Sequence, residues 1–579
     1  MPTLFKDLAS FYDELEAVSS HLKLREILVR FFKRLSASEV KITAYLTLGT
    51  IGPHYEKTEL GIAEKMAIRA VCSACDVSKE KATKLLKQQG DLGGVAESLG
   101  GRGKNQLTIQ QVYHTFLAVR DASGGGSQDK KIQLLTGILK SASPAEAKYI
   151  IRIALGKLRL GVADKSLLDA FAIAFTGSID NKEMIEDSYN VCTDIGGLGE
   201  ALAKKGIKAT RQFDIALGRP VQSMLAQRVN EVPEILEKIP GEIAAEEKYD
   251  GERMQIHKDG ARLIAFSRRL ENISAQYPEI IEAARKSIKA KTTVLDGEVV
   301  AVKNGKIMPF QLLMQRRRKY NIEEYRVKIP TVIFLFDILY LNGESLLKRS
   351  YPERKKLLAS TIRDSERVKL AGGVTSARID VIQAFFEKSV KRGLEGIIAK
   401  STGPESLYKP GKRGWAWIKW KKEYAQGMRE TFDLAVVGSY AGKGSRKGRF
   451  GALLCAAYNK QNAQFETFTK VGSGFTEKDF VQLKKALHPL EARTKPKLVR
   501  IEKTMLPDTY YEPGLVIEVL GAEITDSPNH AAAKDVLKTG LALRFPRFIR
   551  IRKDKGPTDA TTVKEIIALH KKKYKKPAR

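Results

Sequence analysis

Cysteine is scarce: Cys72, Cys75, Cys192 and Cys455 are the only four in a chain of 579 residues. So few thiols exclude a disulfide scaffold and fit a reducing compartment. Cys72-Ser-Ala-Cys75 has metal or redox spacing, but no second pair follows nearby. Its apolar setting predicts a helix with small buried thiols rather than a zinc site. No apolar run approaches the roughly 20 residues of a membrane span, and the opening Met1–Asp7 lacks a basic-then-apolar leader. Both features predict a cytoplasmic protein, nucleoid-associated if the source is prokaryotic. The phosphate loop G-x-x-x-x-G-K-[ST] is missing too. Gly438-Ser-Tyr-Ala-Gly442-Lys443-Gly444 is one residue short and has no hydroxyl after the lysine, so a nucleoside triphosphate would have to be held in another way. The last deficit is acidic: 67 Asp and Glu stand against 100 Lys and Arg, a formal charge of +33. Such an excess favours a polyanion. With no amphipathic anchor or lipidation motif, nucleic acid is the expected partner, bound less tightly as salt rises.

What is present divides into three textures, matching the three or four domains that this length predicts at roughly 150 residues each. Up to about Pro220 the pattern is helical. Phe5, Leu8, Ala9, Tyr12, Leu15 and Val18 recur at three and four, marking one amphipathic helix. Lys148–Gly161 is apolar with interleaved cations; it predicts a helix whose Arg152, Lys157 and Arg159 either grip phosphates or form an ordinary solvated face. From about Gly218 the texture changes to strands. Met254–His257 and Ala261–Phe266 flank Lys258-Asp259-Gly260, which predicts a hairpin. Strands are expected at 293–302 and 331–341, and helices at 278–290 and 377–391. Beyond about Phe432, short strands at 434–438, 451–458, 465–471 and 516–520 alternate with glycine-rich turns, suggesting a small barrel of the oligonucleotide-binding kind. A helix at 561–570 runs into the basic tail Lys571–Lys576.

The chemistry centres on Lys248-Tyr249-Asp250-Gly251-Glu252-Arg253. A lysine becomes a nucleophile only when desolvation or neighbouring cations lower its pKa. Gly251 could let the backbone approach a phosphate and Arg253 could clamp one in its planar fork. A plain surface turn would use the same residues. Six charged clusters follow: Ser267-Arg-Arg-Leu-Glu-Asn272, Leu295-Asp-Gly-Glu298, Phe336-Asp337, Glu395-Gly396, Trp417-Ile-Lys-Trp-Lys421 and Arg552-Lys-Asp-Lys555.

In this order the clusters resemble the motifs of covalent nucleotidyltransferases, and the whole chain resembles an ATP-dependent DNA ligase of the archaeal and eukaryotic type. The resemblance implies a multidomain α and α+β fold: an all-helical DNA-binding domain over 1–220, an α+β adenylation domain with antiparallel sheets over 221–427, and an OB-fold β-barrel with a basic C-terminal helix and tail over 428–579. It implies that Lys248 takes AMP from ATP, passes it to a 5′-phosphate and lets a 3′-hydroxyl displace it, sealing nicks in duplex DNA in replication, repair and recombination. Arg253, Lys419 and Lys421 would lower the pKa of Lys248; the alternation Lys419-Trp420-Lys421 sets both lysines on one side of a strand. Glu246, two before the lysine, would position adenine rather than its neighbour Glu247. Phe336 would stack on the base, Arg268 and Glu298 would lie near ribose or phosphates, and Arg413 would be another nucleotide contact. Glu298 and Glu395 are oxygen ligands suited to Mg²⁺. Arg552 and Lys555 would orient pyrophosphate, so the barrel would swing over the nucleotide and then away to close round DNA. A monomer is expected.

A sliding clamp is a further partner such proteins often have, but Gln110–Leu117 fits a clamp-binding peptide only loosely and reads better as a buried helix. Three rivals remain. An RNA ligase or capping guanylyltransferase would not need the long helical domain before Lys248. An NAD-dependent ligase would carry a clustered-cysteine zinc module that four scattered cysteines cannot build. A DNA-binding protein without catalysis would not need Lys248.

Overall fold

The computed structural model describes residues 2–574 apart from 19, 57, 101–102, 104–105, 304, 318–321, 423–429 and 443–448. Lys443-Gly444 of the short glycine loop, Gly101-Arg102 and the tail from residue 575 therefore lie outside the described residues. The chain forms two compact units, Met1–Ala425 and Gln426–Arg579.

The first unit opens with twelve α-helices among the described residues, from Phe5–Glu16 to Ile195–Lys205. The first buries Phe5, Leu8, Ala9, Tyr12 and Leu15, the stripe that their spacing defines. Glu64–Cys75 carries both Cys72 and Cys75, which are free thiols. Ile109–Asp121 turns Ile109, Val112, Phe116 and Val119 into the core, and Phe116 is fully buried. The clamp-like stretch is thus a packed helix face.

One helix departs from expectation. Pro144–Ala154 begins with a capping box between Ser143 and Glu146 and stops before Gly156, which sits at φ +62°; Arg159 follows at φ +59°. A non-glycine residue in that region ends helical geometry. Lys157 and Arg159 therefore lie beyond the helix. Arg152 is buried, donating to Glu16 at 3.0 Å and to Asp91 at 2.6 Å. It is neither a phosphate grip nor a solvated face, because two carboxylates of the helical region already satisfy its guanidinium.

Twelve strands follow among the described residues of the first unit. They are β1 Leu225–Arg228, β2 Ile243–Lys248, β3 Glu252–Asp259, β4 Arg262–Ser267, β5 Thr292–Lys303 and β6 Lys306–Ile307. Then come β7 Thr331–Leu341, β8 Glu344–Ser345, β9 Val368–Leu370, β10 Gly373–Ser376, β11 Gly396–Ser401 and β12 Arg413–Lys421. One sheet has the order β1-β12-β11-β2-β10; the other runs β4-β3-β5-β7-β8, with β6 on β5 and β9 on β7. The hairpin β3–β4 turns at Gly260, φ +56°, as the Asp259-Gly260 pair predicts. Helices Pro278–Ser287 and Ile379–Lys391 occupy the two expected helical stretches.

The second unit is sheet-rich. Glu430–Ala441, Phe450–Asn459, Gln464–Val471 and Val516–Gly521 contain the four expected strands. They share one sheet, in which Glu430–Ala441 pairs with both Phe450–Asn459 and Val516–Gly521. The core beneath holds Phe432, Phe468, Ile517 and Phe548, with Val563 and Ile566 from the last helix, Val563–Tyr574.

Strand β3 carries a buried histidine. His257 Nδ1 accepts the Gly218 amide at 3.1 Å, and Nε2 lies 2.9 Å from Gln255 Oε1. Accepting at Nδ1 requires the neutral ring with its proton on Nε2. Burial accordingly pushes the imidazole down from 6.5 to about 3. A histidine that stays neutral when folded binds a proton only after unfolding, so its contribution is full above 6.5 and is lost as pH falls towards 3. The wild-type chain should lose about 2 kcal/mol relative to His257→Gln between pH 8 and pH 5 in urea unfolding; a constant difference would contradict the buried neutral ring.

Candidate active site

The strand register gathers residues that lie far apart in the sequence. β2 and β12 both pair with β11, so Lys248 and Lys421 lie opposite the same residue, Gly396. Two steps along, Glu246 and Lys419 both lie opposite Ile398. Gly396 has no substitute here, since a Cβ would strike the Trp420 carbonyl oxygen and come 2.9 Å from the Lys421 Cα. Gly251 also owes its place to packing: a Cβ would collide with the Val299 carbonyl oxygen on β5. The expected role of letting a phosphate approach is therefore joined by a purely structural one.

Glu246, Lys248, Arg253, Arg268, Glu298, Phe336, Arg413, Lys419 and Lys421 line one cavity of about 410 Å³, to which both sheets contribute. Glu395, the residue before β11, joins the two lysines: its Oε2 lies 2.5 Å from Lys248 Nζ and 2.8 Å from Lys421 Nζ. Burial pushes the Glu395 carboxyl up, but the two lysines together hold it at about 2. The neighbouring Asp250 goes the other way, raised by burial and by Glu395. Arg268, Arg413 and Lys419 have no carboxylate partner among the described residues. Lys419 is depressed by burial first, then by Arg413, Lys421, Lys248 and Arg268. Cations that repel one another around a cavity are relieved by an anion.

Arg253 lines the same cavity, but its guanidinium is held from behind. It donates to both oxygens of Asp296, at 3.0 and 2.5 Å, to the Met224 carbonyl at 2.9 Å and to Tyr408 Oη at 3.2 Å. Its plane lies near the rings of Phe336, 5.3 Å away, and Trp417, 5.8 Å away. Glu246 is equally engaged, accepting from Tyr351 at 2.7 Å, from Lys400 at 2.6 Å and from Lys355. Glu247 instead takes the Tyr249 hydroxyl at 2.6 Å and Arg392. In the second unit, Arg552 reaches Asp433 at 2.8 Å and Asp554 at 2.7 Å, and Lys555 reaches Asp433 at 2.7 Å.

Three family models match in sequence order: the DNA ligase N terminus over residues 4–172, the ATP-dependent DNA ligase domain over 223–421, and the ATP-dependent DNA ligase C-terminal region over 446–555. DNA ligase 1 of Methanosarcina acetivorans is 55% identical over 570 residues, covering 97% of this chain and 98% of that one. The chain belongs to the ATP-dependent DNA ligase family. The DNA ligase of Hyperthermus butylicus is 40% identical, over 99% of this chain and 98% of its own. The solved structure Pmar-Lig_Pre shares the fold at a TM-score of 0.53 and 18% identity, over 94% of this chain and 99% of that one. As in the expected fold class, a helical N-terminal region precedes the central ligase domain and a sheet-rich C-terminal domain.

Several residues of this ligase's cavity escaped the sequence reading. Lys400 is buried in β11, its Nζ 3.1 Å from the Phe336 carbonyl and 4.4 Å from the centre of the Trp417 ring. The only signal was a lysine in the apolar run Ile397-Ile-Ala-Lys400. Asp296 was legible as part of Leu295-Asp-Gly-Glu298, but its partner was not. Because Asp296 is fully buried beneath Arg253, Asp296→Asn strands a buried guanidinium. It should cost about 3–5 kcal/mol of stability in denaturant unfolding; a change below about 1 kcal/mol would mean that solvent compensates the pair.

Proposed function

We propose that this ligase seals nicks in duplex DNA by carrying AMP on Lys248. The observation that carries the reading is the set of three unpaired cations, Arg268, Arg413 and Lys419, around a cavity that also contains Lys248. That cavity suits a polyphosphate.

In the first step Lys248 Nζ forms a bond to the α-phosphorus of ATP and the bond to pyrophosphate breaks. An ammonium has no lone pair to give, so Lys248 must part from Glu395 and lose a proton to solvent before Nζ can attack. Lys421, on the same carboxylate, is placed to keep Glu395 occupied when it does. Lys419, Arg268 and Arg413 neutralise the phosphates as charge redistributes. Arg253, fixed by Asp296, presents a pre-set edge to the nucleotide, and Phe336 offers its face to the base. Arg552 and Lys555 would take the pyrophosphate once Asp433 and Asp554 release them. AMP then passes to the 5′-phosphate of the nick and the 3′-hydroxyl displaces it.

Mg²⁺ fits the residues present. Burial pushes the Glu298 carboxyl up to about 7, with Glu395 and Asp296 adding to the rise against Lys248 and Arg253. A half-buried carboxyl close to a second one is a donor set that a hard dication relieves, since Mg²⁺ takes one or two carboxylates plus phosphate oxygens. Bound there, it would neutralise charge on the transferring phosphate. Among the described residues no three His, Cys, Asp or Glu side chains form a ready-made cage, so phosphate oxygens would complete the shell. Contact with a sliding clamp through Phe116 is not part of this reading, because that ring is buried in the helical core.

The test is joining of a nicked DNA duplex with ATP and Mg²⁺. Wild type should seal it, whereas Lys248→Ala should fail on an ordinary nick yet join one whose 5′ end already carries AMP. Sealing of single-stranded RNA but not of nicked duplex, or equal sealing by Lys248→Ala, would overturn the proposal.

A further inference from the structure

Glu246 is almost fully buried, yet it lines the cavity. A carboxylate offers about four acceptor directions. Three are taken by described donors: Tyr351 and Lys355 on Oε1, and Lys400 on Oε2. One direction on Oε2 is left for a ligand. Lys400 lines the cavity, whereas Tyr351 and Lys355 do not. They approach from behind, on the helix Tyr351–Thr361.

That helix is locked in rotation. Ser350 and Glu353 form a capping box at its start. The fully buried Arg354 donates to Asp337 at 2.7 and 3.1 Å and to the Ser406 carbonyl at 3.1 Å, while the Tyr351 amide donates to Ser406 Oγ at 2.9 Å. Tyr351 and Lys355 are four residues apart and so share one face. Arg354 thereby ties the residue after Phe336 to the helix that supports Glu246.

We propose that Tyr351 and Lys355 are positioning residues that hold Glu246 as an acceptor-only carboxylate, and so make the site select ATP over GTP. The inference rests on Glu246 as the nucleobase contact. Adenine presents an amino donor at its 6-position and guanine a carbonyl acceptor. An ionised carboxylate accepts from the first and repels the second. Burial pushes the Glu246 carboxyl up, but Lys400 and Lys355 pull it below the usual range. Removing a donor on Oε1 frees the carboxyl to turn or to take a proton, and a protonated carboxyl can donate to guanine.

The experiment measures labelled adenylate and guanylate formation, and nick sealing, by full-length wild type, Lys355→Met, Lys355→Arg, Tyr351→Phe and Glu246→Gln, each checked for an unchanged thermal transition. Losing a hydrogen bond to a charged group should raise the KM for ATP about tenfold in Lys355→Met and Tyr351→Phe. The kcat at saturating ATP should stay within about twofold, because a contact shared by ground and transition states is lost. The ATP-to-GTP preference should narrow in both variants, most in Glu246→Gln, and Lys355→Arg should restore it. If Glu246→Gln narrows the preference while Lys355→Met and Tyr351→Phe match wild type, the positioning role is wrong and the nucleobase reading stands. If Glu246→Gln leaves the preference unchanged, the nucleobase reading itself falls. Should Lys355→Met fail to fold, Tyr351→Phe decides alone.

Discussion

The Glu395 carboxylate between Lys248 and Lys421 is the interaction on which the site depends. Two ammonium groups brought to one place repel each other, and in a half-buried setting that repulsion is not screened by water. One carboxylate shared between them removes it. The geometry that permits this sharing belongs to the sheet: β2 and β12 flank β11, and at Gly396 there is no side chain to hold them apart. The backbone therefore sets the charge arrangement, and the charge arrangement defines a site that an anion completes.

Around this centre the cavity uses its charges in two ways. Arg253, Glu246 and Asp337 are held in place by partners from other elements: Asp296 for Arg253, Tyr351 with Lys355 and Lys400 for Glu246, and Arg354 for Asp337. Groups held in this way stay still, and stillness is what a positioning surface needs. Arg268, Arg413 and Lys419 have no such partner among the described residues, and they are the groups available to a polyphosphate. Pairing thus separates the scaffold from the contact surface.

The sequence showed where strong local signals exist. Strand 331–341 is predicted and found with the same ends, and the Asp259-Gly260 turn closes its hairpin. Nine of the ten site residues expected in the first unit line one cavity, and the tenth, Glu395, sits beside it on Lys248 and Lys421, because ordered motifs report strand ends that a fold must bring together. What stayed hidden was pairing. Nothing in the linear order says that Arg253 meets Asp296, or that Lys355 meets Glu246, since those contacts follow from sheet register and helix rotation. Arg152 marks the same limit. Its spacing suited a helix face, yet Glu16 and Asp91, each distant in sequence, draw it inward. A charge is read as solvated by default, and only the structure reveals that distant carboxylates hold it in a buried place.

The most direct measurement is the mass of the full-length protein after incubation with ATP and Mg²⁺, followed by peptide mapping. The account predicts a gain of one AMP, mapped to Lys248 and absent from Lys248→Ala. An intact wild-type chain that gains no nucleotide, or gains it at another residue, would contradict the central role given to Lys248.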